Sequence, residues 1–429
     1  MLSNMRMYML ALAATLFPAG ALSAASLDGT FSGEIIRFGD SQFSRVTLTA
    51  VNGKLGGIWG ATPLQGSVRG DAVEITFGAT RLTGTGGGAD ATGKGEMEIQ
   101  GTRQPVTWKL SPEKTRPGPA KTWDFAPKQY EGFYNSAVPP VLRIFPGDTI
   151  RTSTVDAGGL DGKLVRQSAG GNPETGPFYV EGALPGDTLV VKINRLRPNR
   201  NSARGGSRIN AHAVDSGWTG SVKYDAQFNN EWSLDLEKNI ATLAHPTPAL
   251  AGYTVPIVPM LGCIAAAPAG KQSYRAFDLG SFGGNMDYNR LVSGATVYLP
   301  VNHPGALLFF GDGHAAMGDG EVTTSALETS LDVDITVDVI RGSSTAGPRA
   351  EDAQFLMSMG VAGGLQDALQ TATSQMAAWL KLDYSLTDSE VAAVLGTSLR
   401  YDVTELVDPQ YNVAARIAKS ALAGLKKVR

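Results

Sequence analysis

Short apolar and β-branched runs, broken every few positions by Gly, Pro or Asn, dominate the chain up to about residue 345. Gly29–Phe31, Gly33–Arg37, Ser44–Val51, Lys54–Trp59, Ala72–Phe77 and Gly95–Ile99 are such runs and read as strands. Val51-Asn52-Gly53 reads as a two-residue hairpin turn, because Asn-Gly tolerates positive φ at both central positions. Val68-Arg69-Gly70-Asp71 reads as another reversal. Residues 25–112 are therefore predicted to form a small antiparallel meander or barrel, and the absence of a titratable cluster there favours an accessory role in binding or packing. Residues 113–128, rich in proline and charge, read as a linker. From 129 to 345 the apolar runs lengthen. Phe145-Pro-Gly-Asp-Thr-Ile150 and Leu184-Pro-Gly-Asp-Thr-Leu189 each place a Pro-Gly turn before a strand, and His303-Pro-Gly-Ala-Leu-Leu308 does the same. An internal duplication is the alternative to three independent strand starts. The pattern then changes period. Leu365, Ala368, Leu369, Ala372, Met376 and Leu380 are spaced as on one helix face. Thr387 and Glu390 form a capping-box pattern before Val391–Leu395, with Gly396 able to end that helix. Val413–Leu425 is predicted to be a final helix.

Composition sharpens this mostly β reading. Charged residues make up only 18% of the chain while there are 52 Gly and 23 Pro, which favours many short strands over long surface helices. At 429 residues, two domains are expected. A net charge of −3 gives no footing for nucleic acid, and the basic run Lys426, Lys427 and Arg429 reads as a solvated end. Cys263 is the one cysteine, so no internal disulfide can form. Arg6, the apolar run Met7–Phe17 and the small residues of Ala21-Leu22-Ser23-Ala24 read as an export signal over residues 1–24, cleaved near Ala24. An uncleaved anchor is the alternative. No later apolar stretch is long enough to span a membrane, so a periplasmic or secreted protein is expected.

Few positions offer chemistry. His245 and His303 each precede a proline and read as turn residues, and nothing near His212 supports a site. His314 differs. It follows the apolar run Ala306–Phe310 and stands two residues from Asp312, so both side chains fall on one face of an extended backbone. Asp319 and Glu321 follow, interleaved with Gly318 and Gly320. Imidazole with carboxylates suits zinc or a similar divalent ion; the oxygens alone suit calcium; a polar glycine-rich loop is the plain alternative. Cys263 has apolar neighbours and no visible base, so a buried small residue is the favoured reading. A blue-copper pattern and a Gly-x-Ser-x-Gly elbow are absent, and Gly84–Gly88 lies in a β-rich block rather than between strand and helix.

Gly311–Glu321, GDGHAAMGDGE, resembles the Gly-Asp-x-His-Ala-x-x-Gly-Asp-Gly-Glu signature of the acetamidase/formamidase family. Three more segments match in order: Asn172–Ala183, with Thr-Gly-Pro and Val-Glu-Gly-Ala; Met260–Pro268; and Gly283-Gly-Asn-Met-Asp287. The resemblance covers roughly residues 130–425 and leaves the N-terminal β block outside. It implies a β-sandwich-like amidase domain with C-terminal helices over 129–429, hydrolysing a small linear carboxamide of the formamide or acetamide type to carboxylate and ammonia. It also implies a divalent metal, with zinc foremost and calcium or another ion as alternatives. Carried over by position, Asp156, His314 and Asp312 are the expected ion ligands. Glu321 or Glu181 would be the general base, Asn285 the oxyanion donor, and Asp287, Asp319 and Met317 the substrate side. Met317 departs from the pattern, standing where many relatives have Gln. A lactam or larger-amide hydrolase and a non-catalytic periplasmic ligand-binding protein are the rival readings. The expected partner is a small amide, and assembly into a homo-oligomer is left open.

Overall fold

Alternation of inward and outward side chains closes the first part of the chain on itself. In the computed structural model, which describes residues 27–87 and 90–428, the chain divides into two compact units at Pro112/Glu113. The segment read as an export signal lies outside the described residues, as do Gly88, Ala89 and Arg429. Eight antiparallel strands, Gly29–Arg37, Asp40–Val51, Lys54–Trp59, Thr62–Arg69, Ala72–Phe77, Thr80–Gly87, Asp90–Ile99 and Thr102–Pro112, form a closed barrel in which the first pairs with the last. Phe31, Ile35, Val46, Leu48, Ile75, Leu82, Trp108 and Leu110 fill its interior. Asn52 and Gly53 take φ of 50° and 77°, as the hairpin turn requires. The hydrophobic pattern did not mark Thr62–Arg69, Thr80–Gly87 or Thr102–Pro112, and in Thr80–Gly87 the cause is that glycines stand at 84, 86 and 87. Gly84 stands opposite Gly93, and a Cβ on either would fall 2.1 Å from the Thr92 carbonyl oxygen or 2.0 Å from that of Thr83. The close backbone approach leaves room for Trp108, whose Nε1 donates to the carbonyls of Thr83 and Lys94 at 3.1 and 3.2 Å.

The second unit is built on two large sheets. One has six strands in the order Leu142–Ile144, Thr175–Val180, Leu308–His314, Met260–Ala265, Gly283–Asn285 and Leu279–Gly280. The other has nine and includes Asp148–Ser153, Thr188–Pro198, Thr296–Pro300, Leu331–Ile340, Phe355–Ala362 and Tyr411–Ala418. Phe178, Ile264, Leu308 and Phe310 of the first share one core with Leu189, Ile193, Leu299, Ile335 and Met357 of the second, so the sheets pack face to face. A small sheet of Ser202–Arg204, Glu231–Asp235, Ile240–Leu243 and Thr254–Pro256 is joined to the six-stranded sheet through Glu328, which bridges to both Arg204 and His314.

Three expectations change. Within the stretch read as a linker, Thr122–Asp124 is an edge strand pairing in parallel with Asp148–Ser153. Buried Asp148 anchors it, accepting from Arg116 at 2.7 Å, the Lys121 N–H at 2.8 Å and Trp123 Nε1 at 3.0 Å. Both Pro-Gly-Asp turns are closed alike, Phe145 N–H donating to Asp148 and Leu184 N–H to Asp187, each at 2.9 Å. The last helix is instead the strand Tyr411–Ala418, followed by a short 3₁₀ turn. Its apolar run is covered on both faces: Ala414 meets the sandwich core, while Ala415 and Ile417 meet the helix Leu365–Tyr384. A doubly buried strand lacks the alternation that would mark it. The next helix, Asp388–Ser398, carries its capping box as expected but runs past Gly396. No described helix is long and apolar enough to cross a membrane.

Burial alone would raise Asp148, but its hydrogen bonds from Phe145, Trp123, Lys121 and Arg116 hold it below the ordinary carboxylate value. A lowered folded pKa contributes stability that is present above the unfolded value and lost as pH falls through the folded one. Asp148→Asn is therefore expected to cost about 1–3 kcal/mol near neutral pH, read by urea unfolding, and the gap from the parent should narrow as pH falls below about 4. A gap independent of pH would contradict this.

Candidate active site: a buried acidic cluster around His314

Leu308–His314 runs through the interior of the six-stranded sheet, and all seven of its residues are buried. Glycine makes the threading possible. A Cβ on Gly313 would meet Leu331 at 2.6 Å, and one on Gly311 would meet Glu174 at 2.9 Å. Leu261 pairs with Gly313 and Cys263 with Gly311, so Gly262 falls opposite Asp312. A Cβ on Gly262 would lie 2.5 Å from Asp287 Oδ1 and 2.6 Å from Asp312 Oδ2, so its missing side chain is the space these carboxylates fill. Gly283–Asn285 pairs beside Met260–Ala265 and delivers Asp287 two residues on, its N–H donating to the Gly262 carbonyl at 3.2 Å.

His314 is the hub. Its Nε2 lies 3.3 Å from Glu328 Oε2, 3.4 Å from Asp312 Oδ2 and 3.9 Å from Glu321 Oε1, and its Nδ1 lies 3.8 Å from Asp287 Oδ1. Glu405, ending the strand Arg400–Glu405, joins Asp287 and Glu321 in a further group. Both His314 nitrogens, both Asp287 oxygens, Asp312 Oδ1, Glu328 Oε2 and Glu405 Oε2 are buried without a hydrogen bond of normal geometry. Burial pushes Asp287 up strongly, and the charges of Glu321 and Asp312 add to it. Glu321 is raised by burial and by Glu328 and Asp312, against the pull of His314. Burial lifts Glu405 to about 7 although backbone N–H groups of Val407 and Asp408 oppose it. Burial alone would lower His314, yet the charges of Glu328 and Asp312 outweigh it and push the imidazole well up. Buried carboxylate oxygens and an imidazole nitrogen without hydrogen bonds, within 4.8 Å of one another in Asp287, Asp312 and His314, suit a divalent cation. The cluster can hold a metal ion.

A second layer braces the first. Asn172 Nδ2 donates to Asp312 Oδ2 at 3.1 Å and to Asn285 Oδ1 at 3.2 Å. The Cys263 thiol donates to Asn285 Oδ1 at 2.8 Å, and Asn285 Nδ2 donates to Asp408 Oδ2 at 2.6 Å. On the other flank a groove of about 680 Å³ opens to the surface, lined by Asn289, Met317 and Glu321 among others.

The sequence-predicted residues separate on this geometry. Asp287, Asp312, His314 and Glu321 come together, with Asp287 facing His314 rather than the groove. Asn285 sits behind them, one amide N–H donating to Asp408 and its oxygen accepting from Asn172 and Cys263, so it positions its neighbours. Met317 lines the groove; Asp319 is exposed and accepts from Asn289 Nδ2 at 2.7 Å. Two assignments are corrected. Asp156 is buried in an ion pair with Arg200 at 2.6 Å, its other oxygen accepts the Leu160 N–H, and it belongs to none of the groups among the described residues that could hold an ion. Glu181 is held by Arg143 at 2.7 Å and Lys114 at 3.2 Å; these bonds outweigh burial and keep it below the ordinary value, the wrong direction for a general base. Sequence reasoning missed Glu328 and Glu405. Glu328 is the one charged residue in Ala326–Leu331, an acid inside an otherwise uncharged run, which was the available signal. Glu405 had none, since only the fold brings it to Glu321.

Asp156→Asn is expected to cost about 3 kcal/mol in urea unfolding, because Arg200 would stay buried without its counter-charge. Unchanged unfolding would contradict that structural role.

Residues 270–408 match the model of the Acetamidase/Formamidase family. The formamidase of Methylophilus methylotrophus is 25% identical over 267 residues, 50% of this chain and 64% of its own. The chain spans 51% to 64% of the length of the curated relatives it matches. The solved acetamidase of Yersinia enterocolitica aligns with a TM-score of 0.60 at 27% identity, covering 70% of this chain and 93% of that one. The acetamidase of Bacillus halodurans aligns with a TM-score of 0.59 at 26% identity, covering 70% and 98%. Asp287, Asp312, His314, Glu321, Glu328 and Glu405 all fall inside the matched stretch, and the chain thus carries an acetamidase/formamidase family domain at residues 270–408.

Proposed function

We propose that this chain hydrolyses the C–N bond of a primary carboxamide, formamide and acetamide being the smallest of the class, to a carboxylate and ammonia, with a divalent ion held in the cluster. The observation that carries this reading is the position of Glu321. It is the only cluster carboxylate among the described residues lining the groove, and it lies 3.9 Å from His314. A substrate in the groove therefore meets the cluster at a carboxylate.

Asp287, Asp312 and His314 would hold the ion, zinc being the best fit to an imidazole with two carboxylates and calcium the alternative. When bound there, such an ion would supply Lewis-acid polarisation of the amide carbonyl and would lower the pKa of a water from about 15.7 towards 7. Glu321 takes the proton of the attacking water as the O–C bond forms, then gives it to the leaving nitrogen as the C–N bond breaks and ammonia departs. The Ala326 N–H, donating to Glu321 Oε1 at 2.7 Å and to Glu328 Oε1 at 3.0 Å, fixes the direction of both carboxylates. Asn172 fixes Asp312. Asn289, held by Asp319, presents an amide at the groove wall that can orient the substrate carboxamide.

Ammonia release from formamide, acetamide and propionamide tests this, before and after removal of metal by a chelator and with zinc or calcium returned. Glu321→Gln is expected to lower kcat by about 10²–10⁴-fold, and His314→Ala to abolish the recovery on metal return. Full ammonia release by both variants after chelation would contradict the proposal.

A further inference from the structure

We infer that the amide taken by this site carries a bulky, neutral, apolar acyl group, aryl or branched alkyl, seated in the groove that opens at Glu321. This deepens the amide-hydrolase reading and rests on it.

Size is the first argument. The groove holds about 680 Å³, whereas the four heavy atoms of acetamide need roughly the room of four waters, on the order of 100 Å³. Most of the space would stay unfilled beside so small a substrate. Chemistry is the second. Trp232 and Val255, from the small four-stranded sheet, and Met317 and Leu327, from the chain after His314, all line it, and Trp232, Val255 and Leu327 pack in one apolar cluster. Trp232 and Tyr253 meet edge to face with ring centroids 6.0 Å apart, and the indole Nε1 is already bonded to Asn230 Oδ1 at 2.7 Å. What the aromatic wall leaves to a ligand is apolar. Charge is the third. Glu321 is the only charged side chain among the described lining residues, so a substrate tail bearing an ammonium or a carboxylate would find no oppositely charged partner beyond the reaction centre.

The rim supports the same assignment. Tyr253, Val258 and Val322 are 50%, 49% and 38% exposed and all line this groove. Large apolar side chains left open to water around one concavity mark a surface that an apolar ligand covers. The cluster supplies the reaction; this wall selects what reaches it.

The test compares kcat/KM for ammonia release from acetamide, 4-methylpentanamide and phenylacetamide, using the purified chain with zinc supplied. Phenylacetamide is expected to exceed acetamide by at least about tenfold, chiefly through a lower KM. Trp232→Leu is expected to cut the phenylacetamide-to-acetamide ratio by about tenfold. Tyr253→Ser, at a half-exposed position, is expected to cut it in the same direction and serves if the buried Trp232 variant fails to fold. Acetamide turned over as well as phenylacetamide, with a ratio unmoved by Tyr253→Ser, would overturn this inference and leave amide hydrolysis standing. A purified dimer that Val258→Asp splits, with a flat substrate series, would make the groove an interface and also overturn it. No ammonia from any amide would overturn both readings.

Discussion

Five carboxylates share a buried space with one imidazole, and that crowding governs the rest of the structure. Like charges within a few ångströms in a low-dielectric interior cost several kcal/mol per ion unless something neutralises them. Asp287 and Glu321 accordingly sit far above ordinary carboxylate values, and Glu405 reaches about 7. One His314 cannot balance Asp287, Asp312, Glu321, Glu328 and Glu405. A divalent cation would offset two of those charges and could satisfy one ring nitrogen together with the unbonded carboxylate oxygens beside it.

The fold serves that constraint by making room and then refusing to yield it. Gly262, Gly311 and Gly313 let a strand of chemical residues pass through the interior of a sheet with other atoms where their Cβ atoms would be. The sandwich core packs Leu308 and Phe310 of the same strand, which ties the register of Asp312 and His314 to the burial of their apolar neighbours. Asn172, Asn285 and Cys263 then fix the acidic side chains from behind. The small sheet packs Trp232 and Leu243 against Ala315, the residue directly after His314, so the wall of the groove and the reaction centre are parts of one packed layer.

How much of this could be read in the sequence depends on the range of the interaction. Asp312 and His314 were legible because two residues on a strand share a face, and Gly318 and Gly320 marked the loop to Glu321. The capping box at Thr387 and the turn at Asn52 were legible for the same reason, being local. The strand Tyr411–Ala418 was not, since burial on both faces erases the period. The strand Thr80–Gly87 was not, since its glycines answer to Gly93 and Trp108 rather than to sequence neighbours. Asp156 and Glu181 show the converse failure. Each is acidic, beside a family motif or a strand end, and each is spent on an arginine that the sequence could not place. Glu405 joined the site only through the pairing of the last strands.

Titrating zinc into the chelator-treated chain by calorimetry tests the central claim most directly. The account predicts one ion per chain, with binding lost in Asp312→Asn, which keeps the shape of the side chain but removes its charge. A chain that binds no ion, or an Asp312→Asn variant that binds as the parent does, would contradict it.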